Sequence, residues 1–119
     1  MKVVFTPEAE RDIERLAYIQ VVSDYLKSEY DKASFDYGGD VWCIKSNGKW
    51  GLANYYGEEL LSPCYDWMAD SFVEGMLVVG IYGNGIGYIN LQGEEVVKPM
   101  YEEATDFHNG FAAVRLNGK

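Results

Sequence analysis

The strongest constraint on the fold of this chain is an internal repeat with an offset of 36 residues. Residues 50–66 match residues 86–102 position by position. After a slip of one residue near Met68, residues 72–79 match residues 107–114. A unit of this size buries its apolar face by packing on its neighbours, so the repeat predicts a stacked array.

Turn-forming residues recur at fixed places in both copies. Asn54 precedes Gly57 by three positions, and Asn90 precedes Gly93 in the same way. This spacing suits a type I turn in which the glycine takes a positive φ before the return strand. The flanking segments are short and rich in β-branched and aromatic residues, which is typical of hairpins.

Each repeat is therefore expected to form a meander of three strands. In the middle copy these are residues 76–82, 86–90 and 94–98. Pro63 and Pro99 are expected to end the return strands, because proline cannot donate a ladder hydrogen bond.

The N-terminal segment has a different sequence pattern, which is typical of a strand and a helix. Residues 2–5 predict a short strand, and Thr6 followed by Pro7 predicts the N-cap and first position of a helix over residues 7–33. Spacings of three and four mark its apolar face. The residues of that face are Ile13, Leu16, Ile19, Val22, Leu26, Tyr30 and Ala33.

These patterns predict an α+β protein that is mainly antiparallel β, with repeated three-strand meanders in an open solenoid-like or propeller-blade-like arrangement. Residues 1–34 are expected to form an N-terminal strand and helix that cap the array. Residues 35–119 are expected to form the repeats, divided into a partial unit at about 35–50, a unit at 50–85 and a truncated unit at 86–119.

The end of the chain repeats an internal motif. Asn117-Gly118-Lys119 matches Asn47-Gly48-Lys49, which leads into Trp50-Gly51. The chain is therefore expected to stop where another repeat would begin, as a fragment or with a terminal β edge that needs cover. That edge predicts a homo-oligomer as one way of covering it.

The repeat resembles a known family. Lys49-Trp50-Gly51, followed by Asn-x-x-Gly, Glu, Pro-x-Tyr-Asp and Phe-x-x-Gly, is similar to the bacterial WG (KWG) repeat proteins. The resemblance covers residues 35–119, although the second copy has Ile86-Gly87 in place of Trp-Gly. It implies an array of β-meanders in a bacterial protein and carries no general activity.

Residues 2–13 show a second resemblance. Their sequence is similar to the opening strand and helix of RelE/ParE-type toxins. Those toxins are typically basic, and the ribosome-dependent ones act on RNA. This chain is acidic, and its remainder matches the repeat.

The charge of the chain restricts its partners. Its 19 acidic and 10 basic residues give a formal charge of −9. Binding to nucleic acid or to an anionic membrane requires a cationic surface, so both are excluded as expected partners. A basic protein or peptide is compatible, and the alternative function is an immunity or antitoxin-like protein that neutralises a basic partner.

Residues that could carry chemistry do not form a recognisable set. His108, Cys43 and Cys64 are too scattered for a zinc site or a catalytic triad. The glycines between 80 and 87 lie between two strands, whereas a phosphate loop leads from a strand into a helix. We therefore expect no catalytic residues, no metal and no cofactor.

The expected function is a non-catalytic repeat module for protein or peptide binding or scaffolding. The candidate interaction surface consists of four aromatic residues, of which Tyr55, Tyr56 and Trp67 differ between the copies. Its members are Tyr55, Tyr56, Trp67 and Tyr82. The N-terminus lacks the apolar run of a signal peptide, which predicts a cytoplasmic protein with reduced thiols.

Overall fold

The computed structural model describes residues 15–116, which form one helix and ten strands. The predicted strand at residues 2–5 and the predicted helix start at Thr6 lie outside this range. The helix α1 spans Arg15–Glu29. It buries one face, formed by Tyr18, Ile19, Val22, Ser23 and Leu26.

The helix ends earlier than its apolar spacing predicts. It ends at Glu29, and Ala33 belongs to the first strand, so the predicted end at residue 33 is wrong. Leu16 is also not on the buried face, because it is 71% exposed. The missed signal is Tyr30-Asp31, which matches Tyr65-Asp66 and marks the start of a repeat unit rather than the last turn of a helix.

The first sheet has four antiparallel strands in the order β1-β2-β3-β4. Its strands are β1 (Lys32–Asp36), β2 (Val41–Ser46), β3 (Lys49–Ala53) and β4 (Glu59–Tyr65). Side chains alternate between the faces of a strand. In β2, Trp42 and Ile44 pack against α1, while Cys43 packs on the second sheet.

The second sheet repeats this topology in the order β5-β6-β7-β8. Its strands are β5 (Trp67–Met68), β6 (Met76–Ile81), β7 (Gly85–Asn90) and β8 (Glu95–Tyr101). Leu77, Val79 and Ile89 share a core with Cys43 and Leu52 of the first sheet. The two sheets therefore pack face to face.

The third sheet has two strands, β9 (Glu103–Ala104) and β10 (Val114–Arg115), which pair antiparallel. It contacts the far face of the second sheet. The Tyr88 hydroxyl donates a hydrogen bond to the Thr105 carbonyl, and the Tyr88 ring lies 4.9 Å from the ring of Phe107.

The molecule is thus an elongated stack with extents of 52 × 32 × 17 Å, in the order helix, first, second and third sheet. The predicted α+β class with antiparallel meanders is confirmed, and each complete sheet gains a fourth strand from the segment before its meander. Within residues 15–116, no helix has both the length and the apolar character needed to cross a membrane.

The predicted turns are confirmed in both copies. Asn54 accepts hydrogen bonds at Oδ1 from the amides of Tyr56 and Glu58, and its carbonyl accepts one from Gly57. Gly57 has a φ of 89°, which glycine adopts without steric cost. Asn90 makes the equivalent hydrogen bonds.

The prediction that the prolines end the return strands is wrong. Strands β4 and β8 run through Pro63 and Pro99 to residues 65 and 101. In each sheet the register shifts at this point. Between two successive pairs, the central strand advances by two residues while the return strand advances by four. The bulge leaves the proline without a ladder bond to donate, which is where a strand tolerates it.

Candidate interaction site

Two of the four predicted surface aromatics lie beside the helix. Tyr55 stacks on Tyr18 of α1 with ring centroids 5.4 Å apart, and Tyr56 meets the Tyr55 ring edge-on at 5.2 Å. Both are half-buried against the first core. Their contacts join α1 to the first sheet, so only part of each ring faces outward.

The other two predicted positions belong to the second sheet and differ in exposure. Trp67 lies over Gly80, where an added Cβ would come within 2.1 Å of the indole Nε1. Its ring is half-buried, and the lack of a side chain at Gly80 makes room for it. Tyr82, in the turn after β6, is 75% exposed. The structure does not bring the four residues together in one patch.

A groove beside the third sheet was not found from the sequence. It has a volume of about 380 Å³. Its lining comes from both strands of the third sheet, from the loop between them, and from the end of the second sheet: Ile86, Glu103, Ala104, Thr105, Ala113, Val114 and Arg115. It lies where the second sheet is only partly covered by the third.

The outer edge of β10 is open among the described residues. Val114 is 41% exposed, whereas Val79, its match in the second copy, is fully buried. The carbonyls of Ala113 and Arg115 accept hydrogen bonds from the β9 side. Because successive residues point their backbone groups to opposite sides of a strand, the N–H and C=O of Val114 face away from β9. Within residues 15–116, no strand pairs with that side of β10.

A hydrogen bond between a tyrosine and a glutamate recurs along the stack. The Tyr30 hydroxyl donates a hydrogen bond of 2.8 Å to Glu59 at the start of β4. Tyr65, its match in the next unit, donates one of 2.6 Å to Glu95 at the start of β8. Burial, followed by the hydrogen-bonded carboxylate, raises the pKa of both phenols. Tyr101 is the third member of this series and makes no such bond within residues 15–116.

Carboxylates also bond backbone amides of turns, some within one sheet and some between sheets. Asp31 accepts a hydrogen bond from the Asn47 amide, and Asp66 accepts one from the Tyr82 amide. Glu74 accepts bonds from two successive amides of the third sheet, at 2.6 and 2.7 Å. Asp66 also pairs with Lys49, and this lysine is the main cause of its lowered pKa. Asp31 and Asp66 therefore each hold a turn of the sheet that begins beside them, while Glu74 and the Asp66–Lys49 pair join neighbouring sheets.

The residues with potential chemistry remain apart. Cys43 is buried between the first two sheets, and burial and nearby carboxylates raise the pKa of its thiol to about 11. Cys64 is exposed. His108 is exposed in the turn before β10. Residues 15–116 contain no group of three or more His, Cys, Asp and Glu side chains placed to hold a metal ion.

The fold defines a repeat protein built from stacked β-meanders. A family model described as "WG containing repeat" matches residues 50–84 and 86–119, more than half of the chain. The chain therefore belongs to the WG-repeat family. The match does not reach residues 2–13, so it lends no support to the toxin resemblance there. Searches of curated proteins and of solved structures found no match.

Proposed function

We propose that this chain is a non-catalytic repeat module that binds a protein or peptide partner at the edge of β10. The observation that carries the proposal is the open edge itself, where the backbone N–H and C=O of Val114 face away from β9. An extended peptide can add to such an edge by main-chain hydrogen bonds. The adjoining groove of about 380 Å³ would take its side chains.

The charge around this edge favours a basic partner. Glu102, Glu103 and Asp106 are exposed in and next to β9, where Arg115 offsets part of their charge by pairing with the two glutamates, and the chain carries a net charge of −9. Complementary charge accelerates association and selects against acidic competitors. The same feature supports the alternative function, in which the chain neutralises a basic protein. In that case the affinity would fall steeply as salt is added.

Selection of displayed peptides on the full chain tests the proposal. Val114→Pro removes the outward N–H while leaving the bonds to β9, whereas Val114→Thr keeps the N–H and the β-branched shape. We expect the proline variant to weaken the binding of the selected peptides about two- to tenfold, the net value of one hydrogen bond. The threonine variant should bind as the parent does. Peptides that bind both variants equally, or no selected peptides at all, would refute the proposal.

A further inference from the structure

We propose that a cleft between α1 and the first sheet binds the guanidinium group of an arginine from a basic protein or peptide. Without a partner, Arg15 of the chain itself occupies this site. The cleft has a volume of about 220 Å³, and its lining consists of Arg15, Asp40, Tyr55 and Tyr56. The inference goes beyond the proposed function, because the cleft lies on the first unit and its test does not depend on the β10 edge.

Two tyrosine rings form a corner that holds a cation. The rings of Tyr55 and Tyr56 meet at an interplanar angle of 87°, with centroids 5.2 Å apart. Tyr55 also stacks on Tyr18, and the guanidinium carbon of Arg15 lies 5.4 Å from the Tyr55 centroid. The electron-rich face of an aromatic ring attracts a cation, and cages of such rings recognise cationic ligands.

Asp40 supplies the negative charge of the site. Its Oδ1 accepts a hydrogen bond from Nη2 of Arg15. The donors of a guanidinium lie in its plane, so the group can bond a carboxylate through its edge while its face lies on an aromatic ring. The cleft therefore offers both kinds of contact that a guanidinium makes, and Arg15 shows that the group fits.

The carboxylate stands at a position where folding favours glycine. Asp40 aligns with Gly75 and Gly110 of the other two units, and it shares their positive φ with a value of 53°. Aspartate costs more than glycine in this left-handed conformation. The turn alone does not explain an aspartate here, whereas a cation site does.

The two tyrosines also depart from the repeat. The second unit has Leu91 and Gln92 in the same turn. There the turn packs on the first unit through Leu91, whose Cδ2 would lie 2.5 Å from a Cβ added at Gly39. An aliphatic residue followed by a polar one therefore suffices for this turn. A cation site explains why the first unit has aromatic rings at both Tyr55 and Tyr56.

The internal ion pair can open without disturbing the core. The side chains of Arg15 and Asp40 are 51% and 50% exposed. Such a pair adds little to stability, because water solvates both charges when it opens. Arg15 therefore competes with a partner's arginine, and it weakens the apparent affinity in proportion to the time that it fills the site. The net charge of −9 favours a basic partner over an acidic one.

Titration of the full chain with short peptides tests the inference, with NMR of the backbone amides of residues 38–41 and 54–57 as the readout. The probe is Gly-Gly-Arg-Gly-Gly with blocked termini. Its control carries citrulline in place of arginine, which keeps the shape and removes the charge. The arginine peptide should bind saturably, and the citrulline peptide should bind at least about fivefold more weakly.

Two charge variants have matched controls at the other end of the molecule. Arg15→Gln removes the internal occupant and should tighten binding of the arginine peptide about two- to fivefold. Arg115→Gln removes the same charge and should leave binding unchanged. Asp40→Gly copies the other units and should weaken binding about tenfold, the value of a hydrogen bond to a charged group. Asp106→Asn removes the same charge outside the cleft and should have little effect.

A third variant tests the aromatic wall. Tyr55→Leu copies the second unit and should weaken binding of the arginine peptide about two- to fivefold. Tyr82→Leu changes an exposed tyrosine outside the cleft and should have no effect. Circular dichroism checks the fold of each variant. If Tyr55→Leu does not fold, Asp40→Gly decides the question, because glycine relieves the left-handed backbone.

Equal binding of the arginine and citrulline peptides would overturn the inference. So would weaker binding to Arg15→Gln than to the unmodified chain, because Arg15 would then belong to a site for an acidic ligand. An effect of Asp40→Gly no larger than that of Asp106→Asn would show only a general attraction of cations to the acidic chain, and it would also refute the site.

Discussion

At the scale of single residues, the repeat is maintained by close backbone contacts. Gly51 and Gly87 adopt extended backbone conformations that any residue could take, so their φ angles do not require glycine. The glycines are required by space, because the carbonyl oxygens of Leu61 and Val97 lie where a Cβ would be. The sequence shows that these glycines are shared between copies, but the bulge that explains them involves residues ten positions away.

Gly51→Ala should therefore destabilise the chain by about 3 kcal/mol, the upper range for overpacking a fixed core. Gly48→Ala is the matched control. Gly48 has a φ of 79° and nothing near its Cβ position, so alanine should cost about 1 kcal/mol of left-handed strain. Urea unfolding of both variants measures the difference. Equal losses would show that the bulge over Gly51 relaxes without strain.

At the scale of elements, local turn chemistry could be predicted and long-range register could not. The Asn-x-x-Gly turns form as expected because Asn54 and Asn90 bond amides within four residues of themselves. The ends of β4 and β8 were mispredicted, because a proline is tolerated when its strand bulges over a glycine on the neighbouring strand. The groove beside β9 and β10 could not be predicted either, because it forms where the third sheet packs on the second.

Asn54→Ala should reduce the free energy of unfolding by about 1–2 kcal/mol. The substitution leaves the amides of Tyr56 and Glu58 without their acceptor. Asn84→Ala serves as the control, since this exposed turn residue makes no side-chain hydrogen bond among the described residues, and its backbone bond to Ile81 is retained. Its effect should stay within about 0.5 kcal/mol. A loss at Asn84 as large as at Asn54 would contradict the assigned role of the Asn54 side chain.

At the scale of the whole molecule, the tyrosine–glutamate bonds make the stack sensitive to alkali. Burial and the adjoining carboxylates raise the pKa of Tyr30 and Tyr65 in the folded chain. A group whose pKa is raised by folding stabilises the fold below its unfolded pKa, which is about 10 for tyrosine, and this contribution is lost as the pH rises further.

The unfolding free energy should therefore decrease above pH 10. In the double variant Tyr30→Phe/Tyr65→Phe this decrease should be shallower, because phenylalanine keeps the ring and cannot ionise. Cys43, with a thiol pKa of about 11, contributes equally to both proteins and cancels in the comparison. Urea unfolding between pH 8 and pH 11.5 measures the slopes. Identical slopes would show that ionisation of these phenols is not what opens the stack.

The layered arrangement also predicts a gradient of local stability along the chain. The first sheet packs on α1 through one face and on the second sheet through the other. Among the described residues, the third sheet packs on the second alone and leaves Val114 exposed. Amides in layers buried on both faces open only with much of the structure, and those in a terminal layer open locally. Hydrogen exchange should therefore be slowest in β2, β3, β6 and β7 and fastest in β9 and β10.

A partner at the β10 edge should slow exchange in β9 and β10 far more than elsewhere. Uniform exchange among the ten strands would mean that the stack opens as one unit, and it would remove the reason for expecting the terminal edge to be the part that binding changes.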